Sequence, residues 1–180
     1  TKIIIKGKKN IINDKKFFIA ASHQSMFETF FLQTIFNSPV FILKKELLKI
    51  PIFGWYLQKI GSISIKRNKI SKENLGFFDD ILKLVNTSDR PLIIFPQGTR
   101  VLPQDRTSFK KGASRIYEKL KITCQPIAID SGYTWPKYGL KKTKKTLTIS
   151  ILKPIKPGLN KEDFLKKLQN DIYSELDILS

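Results

Sequence analysis

Short, almost purely apolar runs alternate along this chain with longer stretches whose apolar residues recur at three- and four-residue spacing. The first pattern is that of strands buried on both faces, the second that of amphipathic helices. Phe17 to Ala21 predicts a buried strand, and Met26, Phe27, Phe30, Phe31 and Ile35 predict a helix after it. Val40 to Leu43 predicts a short strand, followed by a Lys-rich helical turn that ends before Pro51. Ile60 to Ile65 alternates and predicts a strand with one wetter face. Leu75, Phe78, Leu82 and Val85 mark a helix from Ser71 to Asn86, with Ser71 as its N-cap. Strands are predicted at Pro91 to Phe95, Thr123 to Ile129 and Thr146 to Leu152, and a helix at Lys111 to Leu120. Phe164, Leu168, Ile172 and Leu176 form the stripe of a closing helix that begins near Asn160. Such alternation predicts one α/β domain over residues 1–180, a sheet covered by helices.

At 180 residues the chain can bury a real core, and 41% hydrophobic content excludes a disordered tail. One Cys and one His exclude a disulfide framework and a zinc site, which points to a reducing compartment. A formal charge of +18 points to an anionic partner: nucleic acid, an anionic membrane surface, an acidic protein or a phosphorylated substrate. Lys dominates that charge and Ile and Asn are abundant, a bias that an A/T-rich coding sequence also produces. The five Arg are therefore more informative than the many Lys. The uncharged run from Thr29 to Leu43 is broken by Gln33, Asn37, Ser38 and Pro39 and falls short of the ~20 apolar residues of a membrane span. No signal peptide is legible, and a start at Thr1 fits either loss of an initiator Met or a chain without its N-terminal anchor.

In α/β sheets the chemistry collects where strands end, and two such junctions carry unusual residues. The first is Ala21-Ser-His-Gln-Ser-Met-Phe-Glu28. On one continuous helix His23 and Glu28 would lie about 140° apart. With His23 in the loop and Glu28 in the first helical turn, the carboxylate can reach one imidazole nitrogen and leave the other basic. Ser25-Met-Phe-Glu28 also has the spacing of a capping box, in which Glu28 only satisfies a backbone N–H. The second junction is Phe95-Pro-Gln-Gly-Thr-Arg100. Gly98 permits a turn closed to other residues, Thr99 offers a hydroxyl and Arg100 a fork suited to phosphate. An ordinary turn with an exposed Arg competes with that reading. Arg67, after the alternating strand, is a candidate of the same kind, or a strand-end charge facing water. Cys124 reads as inert core, with a pairing to His23 as the alternative, and Asp79-Asp80 as a solvated face. There is no G-x-S-x-G, G-x-x-x-x-G-K-[ST] or G-x-G-x-x-G, so catalysis here calls for an already activated substrate.

At these residues the chain resembles the glycerolipid acyltransferases related to 1-acylglycerol-3-phosphate acyltransferase. Ser22-His23-Gln-Ser-Met-Phe-Glu28 is similar to their H-x4-D block, and Phe95-Pro-Gln-Gly-Thr-Arg100 to F-P-E-G-T-R. Lys45-Glu-Leu-Leu-Lys-Ile-Pro51-Ile-Phe-Gly54-Trp with Gly61-Ser-Ile-Ser-Ile-Lys-Arg67 resembles a second block. Gln125-Pro126-Ile-Ala-Ile with Ser131-Gly-Tyr-Thr-Trp135 resembles a fourth. Glu28 and Gln97 stand where the family usually has Asp and Glu.

The resemblance implies a mixed central sheet covered by helices and acyl transfer from a thioester, acyl-CoA or acyl carrier protein, to the 2-hydroxyl of lysophosphatidate. It implies His23 as general base and Glu28 as its orienting partner. Arg67 and Arg100 would hold the phosphate and Gly98 and Thr99 shape the loop, with Gln97 and Lys110 as weaker candidates. It implies no metal or organic cofactor, and work at the cytoplasmic face of a membrane, met peripherally by scattered Lys and by Trp55, Tyr56 or Trp135. Gln97 keeps open another lysolipid as acceptor. A non-catalytic basic module binding membrane or nucleic acid is the rival of another class, but no RNA-binding signature or base-reading helix supports nucleic acid.

Overall fold

The structure is a computed structural model that describes residues 1–13, 16–65, 72–138 and 146–179, the side chains of 72–75 excepted. Seven strands form one sheet: β1 (Lys2–Lys6), β2 (Phe17–Ala21), β3 (Val40–Lys44), β4 (Ile63–Ile65), β5 (Leu92–Ile94), β6 (Thr123–Ile129) and β7 (Thr146–Ile151). Their order is β1-β7-β6-β2-β5-β3-β4. Every pairing is parallel except β6 with β7, so the sheet is mixed, as expected.

Helices α1 (Phe27–Ile35) and α2 (Phe53–Lys59) cover one face; α3 (Lys72–Thr87), α4 (Gly112–Leu120) and α5 (Lys161–Leu179) cover the other. Burial on both faces explains why β2 is apolar throughout. Phe18 and Ala20 pack toward α3, α4 and α5, whereas Phe17, Ile19 and Ala21 pack toward α1 and α2. All four residues of the α5 stripe are buried, as their spacing predicts.

Four readings need correction. The expected strand at Ile60 to Ile65 is strand only at Ile63–Ile65, because Ile60 and Gly61 finish α2: their amides donate to Tyr56 and Gln58 carbonyls, and Gly61 has φ 73°. All three β4 residues are half-buried, so the wetter face is absent. Helix α2 has no separate sequence signal; its seven residues are too few to show a stripe. In α3 Ile81 and Val85 are buried and Phe78 packs against the same core, whereas Leu82 of the expected stripe is exposed. In α1, Leu32 is buried while Phe30 is exposed, as is Met26 just before the helix. Arg67 and the Ser71 N-cap lie outside the described residues.

Candidate active site

The central strands β2, β5 and β6 lie side by side, so the loops leaving β2 and β5 and the turn after β6 meet at one end of the sheet. Ser22 extends the β2–β6 ladder by one residue. Its amide donates to the Ile127 carbonyl (3.0 Å), and its hydroxyl accepts from the Ile129 amide (2.7 Å). The chain then leaves the sheet, and His23 starts the loop to α1.

Glu28 sits in the first turn of α1 with no solvent exposure. Its Oε2 lies 3.2 Å from His23 Nδ1. A carboxylate only accepts, so Nδ1 carries the proton and Nε2 is left as the basic nitrogen. The same carboxylate accepts from the Gln24 amide (3.1 Å), the Ser25 amide (3.0 Å) and the Ser131 hydroxyl. Ser25 Oγ in turn accepts from the Phe27 amide (2.9 Å). Both readings of Glu28 therefore hold at once: it closes the helix start and it orients the imidazole. The ring of His23 also stacks on Phe95, centroids 4.0 Å apart and planes 17° apart, so one face and the Nδ1 edge are constrained.

The loop after β5 is locked to the His23 backbone from both sides. The Val101 amide donates to the His23 carbonyl (2.9 Å), and the His23 amide donates to Gln97 Oε1 (2.8 Å). Gly98 turns the loop with φ 76°, and its amide donates to the Phe95 carbonyl (2.9 Å). The Lys110 amide closes the loop on the Pro96 carbonyl (2.8 Å).

A cavity of about 370 Å³ opens in front of this junction. His23, Gly98, Thr99 and Arg100 contribute to its lining, together with Lys44, Thr29 and apolar residues including Phe41, Leu43, Leu47 and Phe53. Four sequence-derived candidates are thus brought together at His23, with Glu28 directly behind it. Gln97 is buried and Lys110 is exposed, and neither lines the cavity. Cys124 pairs with Phe18 near the start of β2, whereas His23 lies past its end, so the two do not pair. Burial pushes the Cys124 thiol well above its ordinary range, as for inert core. Asp79 and Asp80 are solvated. Two residues that touch the pair had no assigned role in the sequence, Phe95 behind the imidazole and Ser131 on Glu28. Ser131 was legible only as the start of the stretch resembling a fourth family block, two residues past the end of β6.

The Acyltransferase family model matches residues 2–130. The chain belongs to the Acyltransferase family. Within it, the chain is 34% identical over 150 residues to a 1-acyl-sn-glycerol-3-phosphate acyltransferase of Pseudomonas aeruginosa, covering 82% of this chain and 56% of that protein. It is 30% identical over 179 residues to the Saccharomyces cerevisiae protein of the same name, covering 94% of this chain and 58% of that one. The chain thus spans somewhat over half the length of these two Acyltransferase relatives. The crystal structure of the 1-acyl-sn-glycerophosphate (LPA) acyltransferase PlsC from Thermotoga maritima superposes with a TM-score of 0.79 at 26% identity, over 99% of this chain and 72% of that one. The sheet and helices described above are therefore an Acyltransferase fold. Among the described residues no helix is long and apolar enough to cross a membrane, and no three His, Cys, Asp or Glu side chains gather as a metal site.

Proposed function

We propose that this domain is a 1-acyl-sn-glycerol-3-phosphate acyltransferase, moving a fatty acyl group from a thioester to the 2-hydroxyl of lysophosphatidate. The observation that carries the reading is a His23–Glu28 pair opening into a cavity with Arg100 beside it, Lys44 and Thr29 also on its lining, and apolar side chains over most of the remaining walls. An acyl chain suits those walls and a phosphate suits the Arg100 guanidinium.

Nε2 of His23 takes the hydroxyl proton as the oxygen attacks the thioester carbonyl. The C–O bond forms, the C–S bond breaks, and His23 returns the proton to the leaving thiolate. Glu28 keeps Nδ1 protonated and faces the positive charge that His23 carries between those steps. The acyl group passes directly from donor to acceptor, so no side chain is acylated and no cofactor takes part. The donor is acyl-CoA or acyl carrier protein. Arg67 is a second phosphate ligand in this reading.

The substrate is a membrane lipid, so the domain works at an anionic bilayer surface, on the cytoplasmic face. Trp55 and Trp135 are 62% and 57% exposed, and Ile52 stands out beside them in exposure at 85%. The Lys59 ammonium lies over the Trp55 ring at 4.5 Å, joining cationic and apolar contact at one place. Tyr56 is not part of this surface: it is half-buried and its hydroxyl accepts from Gln33.

Another lysolipid as acceptor drew its support from Gln97, which lies behind the loop and outside the cavity wall. Purified chain incubated with lysophosphatidate and each thioester, products resolved by mass, tests the assignment. Phosphatidate is the expected product; transfer only to other lysolipids, or none at all, overturns it.

A further inference from the structure

Gln97 is a polar side chain with 2% exposure that the proposed chemistry does not use. Its carboxamide is split between two environments. Oε1 accepts from the His23 amide at 2.8 Å. Nε2 is buried without a hydrogen bond of ordinary geometry, although it lies near enough to the Tyr173 hydroxyl to oppose slightly the rise that burial gives that phenol. Tyr173 itself donates to the Thr107 carbonyl.

Holding a backbone N–H in place needs only an acceptor, and a carboxylate of the same length would serve as well. What the amide adds is the absence of charge. The groups facing His23 are Glu28 from α1, Arg100 from the loop after β5 and Lys44 from β3 across the cavity. Beyond Gln97 stand Tyr173 of α5 and, against it, Arg106 and Asp105. Among the described residues, one carboxylate, that of Glu28, lies within ion-pair distance of the imidazole.

We propose that Gln97 is the positioning residue of His23: it fixes the backbone from which the imidazole projects, and its neutrality confines the base to a single carboxylate partner. A second buried carboxylate at this place would favour the imidazolium, because charges in a poorly solvated site are weakly screened. The neutral, proton-accepting form would then appear only at higher pH. The inference rests on His23 being the general base, but its test does not need turnover.

His23 is the one histidine of the chain, so its ring signal can be followed by NMR titration without assignment against others. In Gln97→Glu the His23 midpoint should rise relative to wild type, because the added carboxylate favours the imidazolium. In Gln97→Met, similar in size but lacking the acceptor, the His23 amide should exchange with solvent about tenfold faster or more. With lysophosphatidate and a thioester, Gln97→Met should lose about tenfold in kcat with KM for lysophosphatidate unchanged. The acidic limb of the Gln97→Glu rate profile should move upward with the titration. A Gln97→Glu midpoint at the wild-type value overturns the electrostatic half of the proposal. Unaltered His23 amide exchange in Gln97→Met overturns the positioning half. A raised KM with His23 unaffected in both measurements assigns Gln97 to the acceptor instead. If wild-type chain shows no acyl transfer while both NMR effects are present, the proposed reaction fails and the role of Gln97 stands.

Discussion

A carboxylate without solvent exposure, as Glu28 is, persists only where donors surround it. His23 Nδ1, the Gln24 and Ser25 amides and the Ser131 hydroxyl supply them. This double use of Glu28 separates two substitutions. His23→Ala should lower kcat by ~10²–10⁴ with little change in folding, since it removes the base and leaves the helix start intact. Glu28→Gln keeps an acceptor for the amides but gives up the charge facing the imidazolium. It should lose on the order of 10² in kcat with KM nearly unchanged. A Glu28→Gln enzyme with wild-type kcat would reduce Glu28 to a helix cap. Arg100→Lys replaces a planar fork by a point charge and should raise KM for lysophosphatidate several-fold more than KM for the thioester. Steady-state kinetics with each substrate varied in turn checks this, and equal effects would place Arg100 outside the phosphate site.

Among the elements, α2 has a placement that rests on one close backbone approach, at Gly54. A Cβ on Gly54 would stand 2.2 Å from the Leu48 carbonyl oxygen, in the 3₁₀ turn Lys45–Lys49 that precedes the helix. Gly54 lets that turn and α2 approach closely, and Leu47, Ile50 and Phe53 from this unit line the cavity. Gly54→Ala should therefore destabilise the fold by about 1–3 kcal/mol, read from urea or thermal unfolding. It should also weaken the apolar substrate more than the phosphate contact. Unfolding curves coincident with wild type would show that the turn can yield. The close approach also explains why α2 is hard to read from sequence: its need for Gly is a contact with a neighbouring element, and not a turn of its own backbone.

For the molecule as a whole, the +18 charge and the exposed Trp55 and Trp135 bear on one measurement. Each basic residue near an anionic surface contributes ~1 kcal/mol, and salt screens that attraction. The chain should sediment with anionic liposomes, bind neutral ones weakly and be largely released at high salt. Trp55→Ala should weaken the part that salt does not remove. Equal binding to neutral and anionic vesicles would show that the charge has no part in docking.

Periodicity and turn chemistry are local properties. They were enough for the α/β class, for β2, β6 and α5, for the two loops that carry His23, Gly98, Thr99 and Arg100, and for the helix turn that carries Glu28. The His23–Glu28 contact was legible for the same reason, being five residues apart across a loop and a first turn. Strand order was not, since neighbours in a sheet are chosen by long-range packing. Only the placement of β2 between β5 and β6 brings Phe95 under the imidazole and Ser131 onto Glu28. The edge strand β1 shows the same dependence: its Ile triplet becomes a strand by pairing with β7, more than a hundred residues away. Gln97 is the clearest case. As a residue in a phosphate-like loop it reads as a ligand, and it turns inward to accept from the His23 amide, a backbone donor brought beside it by the meeting of two strands distant in sequence.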